Sequence, residues 1–231
     1  MPPSKKRIGI LGGISHESTG KYYELLHQKY FQKFGNYYFP EVVIFSLDFQ
    51  KFTDFEDTNN MVGYIDYILS GIRVLEDAHT DVIIMAANSP HSVFDDIQKQ
   101  TDTKMISIVE VTAEAAKEKN YKKLLLLGIK YTMQKNFYAP ICAKYAIEVL
   151  VPSEDEQNEI NNIIFKELCL GKVNDASRVR LLEIMKKYDV DATILGCTEL
   201  PLILDTTNTT QPLLNPMDIH VESVLKYISE G

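Results

Sequence analysis

The sequence predicts an α/β protein of two similar halves, each a parallel sheet flanked by helices, with a site in the cleft between them. Three observations carry that expectation. Short runs of β-branched and aliphatic residues alternate with helix-length segments along all 231 residues, the pattern of parallel sheets covered on both faces. Two of those runs share one grammar. Val82-Ile83-Ile84-Met85 exits into Ala86-Ala87-Asn88-Ser89-Pro90-His91, and Ala192-Thr193-Ile194-Leu195 exits into Gly196-Cys197-Thr198-Glu199-Leu200-Pro201. Finally, no Pro/Gly/Ser-rich linker interrupts the chain, so the halves read as tightly coupled lobes dividing near Ser107–Thr112. The expected domains are 1–108 completed by 214–231, and 109–213.

Taken in order, Arg7–Leu11 reads as a buried strand ending at Gly12-Gly13. Ser15 then opens a helix to about Phe34, with Tyr22, Tyr23, Leu25, Leu26 and Tyr30 supplying apolar bulk at mixed helical spacings. Glu41–Ser46 is a second strand, Leu47–Phe52 a loop and Asn59–Glu76 a helix. After the Val82–Met85 strand a helix begins near Pro90, followed by a strand at Lys104–Ile108 and a helix over Val109–Lys119. A second round starts with a strand at Lys122–Leu127, a turn at Gly128 and a helix entered by Tyr131-Thr132-Met133. A strand at Ile147–Val151 leads to helices over Glu154–Leu170, with Ser153 as cap, and over Ser177–Tyr188. Beyond the Cys197 stretch, Pro212–Asn215 is extended and Asp218–Ile228 closes the chain as a helix packed back on the first half.

Composition narrows the function. A formal net charge of -8, with Lys and Arg scattered, argues against a nucleic-acid surface or an anionic membrane. No apolar run approaches the roughly 20 residues that span a bilayer. The N-terminal Met1–Arg7 is basic, but the apolar run after it is too short for a signal-peptide core, which predicts a cytoplasmic protein. Cys142, Cys169 and Cys197 have no metal-type spacing and the five histidines form no cluster with them, so neither a disulfide framework nor a metal site is expected.

The chemistry concentrates at strand ends. Cys197 stands just past an apolar strand, where ligands bind in α/β sheets, and unpaired N–H groups after it favour thiolate. Against this, a negative Glu199 two residues on opposes thiolate unless its charge is taken up by hydrogen bonds. Gly13 and Ser15 suit either a loop for a small carboxylate or a structural tight turn; the three-glycine dinucleotide pattern is absent. Asn88 and Ser89 suit either helix capping or ligand contact, and Thr132, Gly196, Thr198 and Glu199 hold comparable places in the second half. His91 is a helix-start residue or a proton relay. Lys51 is a solvated lysine or a partner for a substrate carboxylate, and no arginine lies within these stretches.

Several of these stretches together resemble the aspartate/glutamate racemase family. They are Ile10–Ser15 with Glu17-Ser18-Thr19, Ala87–His91, Leu127-Gly128 with Tyr131–Met133, Pro152–Gln157, Glu167–Cys169 before Gly171, and Gly196–Leu200, in one shared order. The resemblance implies two α/β domains, a dimer, no pyridoxal phosphate or other cofactor, and an acidic amino acid as substrate. It also implies a pair of thiols that exchange protons on opposite faces of the substrate α-carbon. Cys197 matches the second-domain thiol, whereas the first-domain position is Ala87, which cannot exchange a proton. Three outcomes stay open: a racemase with Ser89, His91 or water supplying the second face, a one-sided enzyme such as a decarboxylase or isomerase of a small dicarboxylate, or a non-catalytic binder of acidic amino acids.

Overall fold

The computed structural model describes residues 6–230. The basic stretch at positions 1–5 lies outside the described residues, as does position 231. Among the described residues, no helix is long and apolar enough to cross a membrane. The chain divides into two compact units. One holds the residues up to Ile108 and those from His220 onward, and the other is Val109–Ile219.

The first unit runs β1 (Ile8–Gly12), α1 (His16–Phe34), β2 (Val42–Ser46), α2 (Phe49–Asp57), α3 (Met61–Asp77) and β3 (Val82–Met85). A 3-10 turn over Ser89–Val93, α4 (Phe94–Gln98) and β4 (Lys104–Met105) follow. Its strands stand in the order β2-β1-β3-β4, all parallel, with Leu11 beside both Phe45 and Met85. Strand period two sends Leu11, Ile83 and Met85 into a core completed by Phe52, Tyr64, Ile68 and Ile72. Ile10 and Ile84 have the opposite parity and are also fully buried.

The second unit repeats that plan. After α5 (Ile108–Glu118) come β5 (Lys123–Leu127), α6 (Lys130–Gln134), α7 (Tyr138–Ala143), β6 (Glu148–Leu150) and α8 (Glu154–Lys166). A 3-10 turn at Leu168–Leu170, α9 (Asp175–Lys186), β7 (Ala192–Leu195), a 3-10 turn at Leu200–Leu202 and β8 (Leu213–Leu214) follow, and α10 (Pro216–Ser229) leads back into the first unit. The order is β6-β5-β7-β8, again all parallel, with Leu127 beside Leu195. Leu125, Leu127 and Leu195 meet Ile160, Ile164, Leu181 and Ile184 from α8 and α9.

Three local expectations are corrected. The loop expected at Leu47–Phe52 is largely α2, because the Asp48 side chain accepts the Lys51 N–H and Phe52 is anchored in the core. The strand expected over Lys104–Ile108 stops at Met105, since Ile108 already begins α5. The helix expected to reach Leu170 ends at Lys166, and Cys169 lies in the 3-10 turn that follows, closed by Gly171 in the left-handed conformation. Ser153 caps α8 in a reciprocal box with Glu156, as the sequence indicates.

Two substitutions test this framework. Gly13 has φ +84°, and a Cβ there would stand 2.1 Å from the Leu47 carbonyl oxygen. Gly35 has φ +63° at the end of α1 with open space around it. Gly35→Ala therefore costs about 1 kcal/mol for its backbone conformation, and Gly13→Ala costs more than about 2 kcal/mol because a clash adds to it. Urea titration reads the difference; equal losses would show that the Leu47 contact is not limiting.

Glu156 supplies a pH test. Burial alone would raise its carboxyl, but Lys187 at 2.7 Å, Tyr188 at 2.6 Å and the Ser153 N–H at 3.1 Å hold it down to about 2 from an ordinary 4.5. A depressed acid stabilises the folded state above its unfolded pKa and loses that contribution as pH falls. Glu156→Gln thus costs about 2 kcal/mol near neutral pH. The gap from wild type closes as pH drops from 4.5 to about 2, as followed by denaturation midpoints.

Candidate functional site

The two sheets present equivalent strand ends. In the first, β3 stops at Met85 and the next residue, Ala86, donates its N–H to the Leu11 carbonyl of β1 at 2.9 Å. In the second, β7 stops at Leu195 and Gly196 donates to the Leu127 carbonyl of β5 at 2.7 Å. One residue further along lie Ala87 and Cys197. A 3-10 turn follows in each case, opened by Ser89-Pro90 in one unit and Leu200-Pro201 in the other. Threonines back the adjoining strand ends too: Thr19 packs where a Gly12 Cβ would stand, and Thr132 does so at Gly128 and Gly196.

At the second end, the half-buried Cys197 thiol donates to Glu199 Oε2 at 2.9 Å. The Thr198 hydroxyl donates to the same oxygen at 2.8 Å, and Glu199 is itself buried. Burial, then the Glu199 charge and its bond to the sulfur, push the thiol well above its ordinary pKa. The expectation of a field favouring thiolate is therefore corrected. The cause is local: the helix after Cys197 is a single turn of three residues, Leu200–Leu202, so few N–H groups align on the sulfur. The Glu199 N–H does lower the thiol pKa, but less than burial and the carboxylate raise it. Thr132 lies inside α6 and does not cap it.

At the first end, Ala87, Asn88, Ser89 and His91 are all buried. Asn88 precedes its 3-10 turn without a side-chain capping bond. His91 Nδ1 lies 2.9 Å from the Ala87 carbonyl, and its Nε2 lies 3.2 Å from the Ile108 N–H. A carbonyl can only accept and an N–H can only donate, so Nδ1 carries the proton and Nε2 the lone pair. Burial, reinforced by the neighbouring His220, pushes His91 down to about 3. Both ring nitrogens are thus engaged with backbone groups, Nδ1 as donor and Nε2 as acceptor, an arrangement that favours a structural over a relay role for His91.

Gly13 does not supply a spare anion donor either. Its N–H goes to Thr19 Oγ1 at 2.9 Å and Leu47 fills the space beside it, which favours the tight-turn reading. Ser15 caps α1, accepting the Ser18 N–H. Lys51 is exposed in the first turn of α2, with its ammonium 4.3 Å from the Tyr67 ring centre. Among the described residues no group of three or more His, Cys, Asp or Glu side chains could hold a metal ion. Cys142 is buried, and burial followed by the Glu110 charge pushes it up to about 12. The half-buried Cys169 packs on the same apolar cluster as Cys197. Sequence reasoning missed Ser18, whose hydroxyl donates to the Ala86 carbonyl at 2.6 Å. A serine in the first turn of a helix carries no signal of such a distant bond.

Two parallel α/β units of one topology match the two-domain racemase fold. The chain belongs to the Asp/Glu/hydantoin racemase family, whose pattern it matches over residues 11–224. It is similar to an aspartate racemase homologue from Pyrococcus horikoshii OT3, at 34% identity and a TM-score of 0.86, covering 97% of this chain and 99% of that one. It shares its fold with the aspartate racemase of Picrophilus torridus, at 24% identity and a TM-score of 0.75, covering 96% and 94%. The broad specificity amino-acid racemase RacX of Bacillus subtilis (strain 168) is 24% identical over 90% of this chain and 92% of its own length.

The thiol–carboxylate contact yields a measurable outcome. Glu199→Gln removes the negative charge beside Cys197, lowers the thiol pKa and raises its thiolate fraction near neutral pH. Alkylation of the Cys197 peptide by iodoacetamide, followed by mass spectrometry, is expected to speed up at least about tenfold, one pKa unit. An unchanged rate would show that Glu199 does not set the thiol.

Proposed function

We propose that this chain is a cofactor-independent racemase acting at the α-carbon of an acidic amino acid, aspartate or glutamate, with Cys197 as the proton-transferring thiol. The observation that carries this reading is the short bond from Cys197 to the buried Glu199 at the strand end, in a chain of this family. Glu199 takes the thiol proton as the thiolate forms, and the thiolate then removes the α-proton. The substrate ammonium favours that charged state as it arrives, because an added positive charge offsets the carboxylate that held the proton on sulfur. The α-proton thus moves to the Cys197 sulfur, leaving a carbanion on the substrate that is reprotonated from the opposite face, and no step calls on a cofactor.

Position 87 is the topological counterpart of Cys197, and alanine there has no proton to give. With both His91 nitrogens engaged, we assign the donor on that face to Ser89, the remaining hydroxyl of the exit loop, working with water. A hydroxyl is a weaker acid than a thiol, so this face is slower: α-proton exchange is faster from the enantiomer that meets Cys197, while racemisation slows alike in both directions because the enantiomers are isoenergetic. Asn88, Thr132 and Thr198 are proposed substrate contacts, with Lys51 the proposed cation for a substrate carboxylate. The family resemblance supports a homodimer, and the net charge of -8 supports a cytoplasmic protein with no nucleic-acid or membrane partner. Ala87 itself favours a second reading, a binder of acidic amino acids that has lost turnover.

Deuterium incorporation at the α-carbon of aspartate and glutamate in heavy water separates the two. Wild type is expected to exchange, and Cys197→Ser to lose at least about 10²-fold. Binding without any exchange would establish the second reading. Ala87→Cys is expected to raise racemisation in both directions, because the added thiol needs only to reach roughly 2.6–3.2 Å from the transferred proton in the productive complex. Ser89→Ala is expected to slow exchange on one face, read as unequal rates from the L and D substrates. Equal rates for Ser89→Ala and wild type would remove Ser89 from this role.

A further inference from the structure

The direction in which residue 87 points is set by the two peptide planes on either side of its Cα. Each plane is tied by a side chain from outside the strand. The carbonyl of Ala86, in the plane before, accepts from the Ser18 hydroxyl at 2.6 Å. The carbonyl of Ala87, in the plane after, faces His91 Nδ1 at 2.9 Å. His91 is held in turn. Its Nε2 accepts the Ile108 N–H, its ring stacks on Phe94 at 5.5 Å with a 6° tilt, and His220 lies edge-on at 6.0 Å. His220 is pinned in its own right, with Nε2 2.9 Å from the Ile106 carbonyl and Nδ1 2.9 Å from the Tyr22 hydroxyl. The carbonyl makes Nε2 the donor, leaving Nδ1 to accept from Tyr22. The exit of β3 is thereby braced, through one imidazole, against the segment Ile106–Ile108 that starts α5.

We propose that His91 is a positioning residue for the residue-87 face of the reaction: its Nδ1–H fixes the second peptide plane and so aims the side chain of residue 87 and the Asn88-Ser89 segment behind it. This rests on the reading of position 87 as an exchange face. A Ser89 hydroxyl displaced by a fraction of an ångström leaves the reactive geometry, so loosening this plane lowers turnover more than substrate binding. The His91–His220 pair has no charge to give in this arrangement. A proton added at His91 Nε2 would confront the Ile108 N–H, donor against donor.

Two substitutions separate the nitrogens. Asparagine reaches the place of Nδ1 and keeps a donor for the Ala87 carbonyl, whereas glutamine reaches the place of Nε2 and keeps an acceptor for the Ile108 N–H. His91→Gln is expected to lower kcat for aspartate or glutamate at least about tenfold with little change in KM, and His91→Asn to stay within roughly threefold of wild type. Both variants lose one buried bond, so their Tm values should fall by similar amounts. A kcat that falls equally in the two, or simply follows Tm, overturns the proposal.

Two readouts stand apart from turnover, so that loss of the racemase reading is distinguishable from loss of this one. Nitrogen NMR of wild type is expected to show His91 as the Nδ1–H form throughout about pH 8 to about pH 5. An Nε2–H form, or protonation within that range, overturns the proposal. In the Ala87→Cys background, His91→Gln is expected to change the alkylation rate of the introduced thiol at least about threefold while His91→Asn leaves it nearly unchanged. Equal alkylation in all three proteins overturns it as well.

Discussion

One main-chain hydrogen bond, made twice, sets the rest of this structure in place. In each sheet the first residue beyond the third strand of its unit gives its N–H to the end of the neighbouring strand: Ala86 to Leu11, and Gly196 to Leu127. That bond prolongs the parallel ladder by one residue and then releases the chain at the carboxyl edge, where neighbouring strands no longer compete for space. Residue 87 in one unit and Cys197 in the other are delivered by this same step. The glycines and threonines around them serve the close approach of two strand ends.

What surrounds the two positions differs in electrostatic character. Cys197 is paired with a buried carboxylate that also collects the Thr198 hydroxyl, so a negative charge and an ionisable thiol share one small volume. Such a pair holds its proton on sulfur. The first strand end has instead two buried imidazoles, pushed down to about 3 and about 4 by burial, whose nitrogens are matched to backbone groups and the Tyr22 hydroxyl. One end pairs a thiol with a carboxylate, and the other matches imidazoles to backbone groups.

The strands were legible because parallel sheets buried on both faces need continuous apolar runs. Val82–Met85 and Ala192–Leu195 stand out from their surroundings for that reason. Helix α2 was not, because Phe49–Asp57 mixes charged and aromatic residues and its start depends on one cap from Asp48. Cys197 stands out in the sequence through the Gly-Cys-Thr-Glu run after an apolar strand. Its protonation state was misjudged, since the number of aligned N–H groups depends on how far the following helix extends, and Pro201 is compatible with one turn or several.

By itself, the sequence determined the alternation of strands and helices, the two matching strand exits, and the presence of one cysteine where the partner stretch has alanine. These are periodic or local properties, carried by residues within a few positions of one another. Tertiary structure alone decided which way His91 faces, that Ser18 reaches the Ala86 carbonyl 68 residues away, and that Tyr22 meets His220 across 198 residues. Buried polar groups take whichever partners the packed chain brings within reach, because leaving them unpaired is the costlier alternative. Their partners therefore follow from the fold as a whole, and short-range pattern holds no record of them.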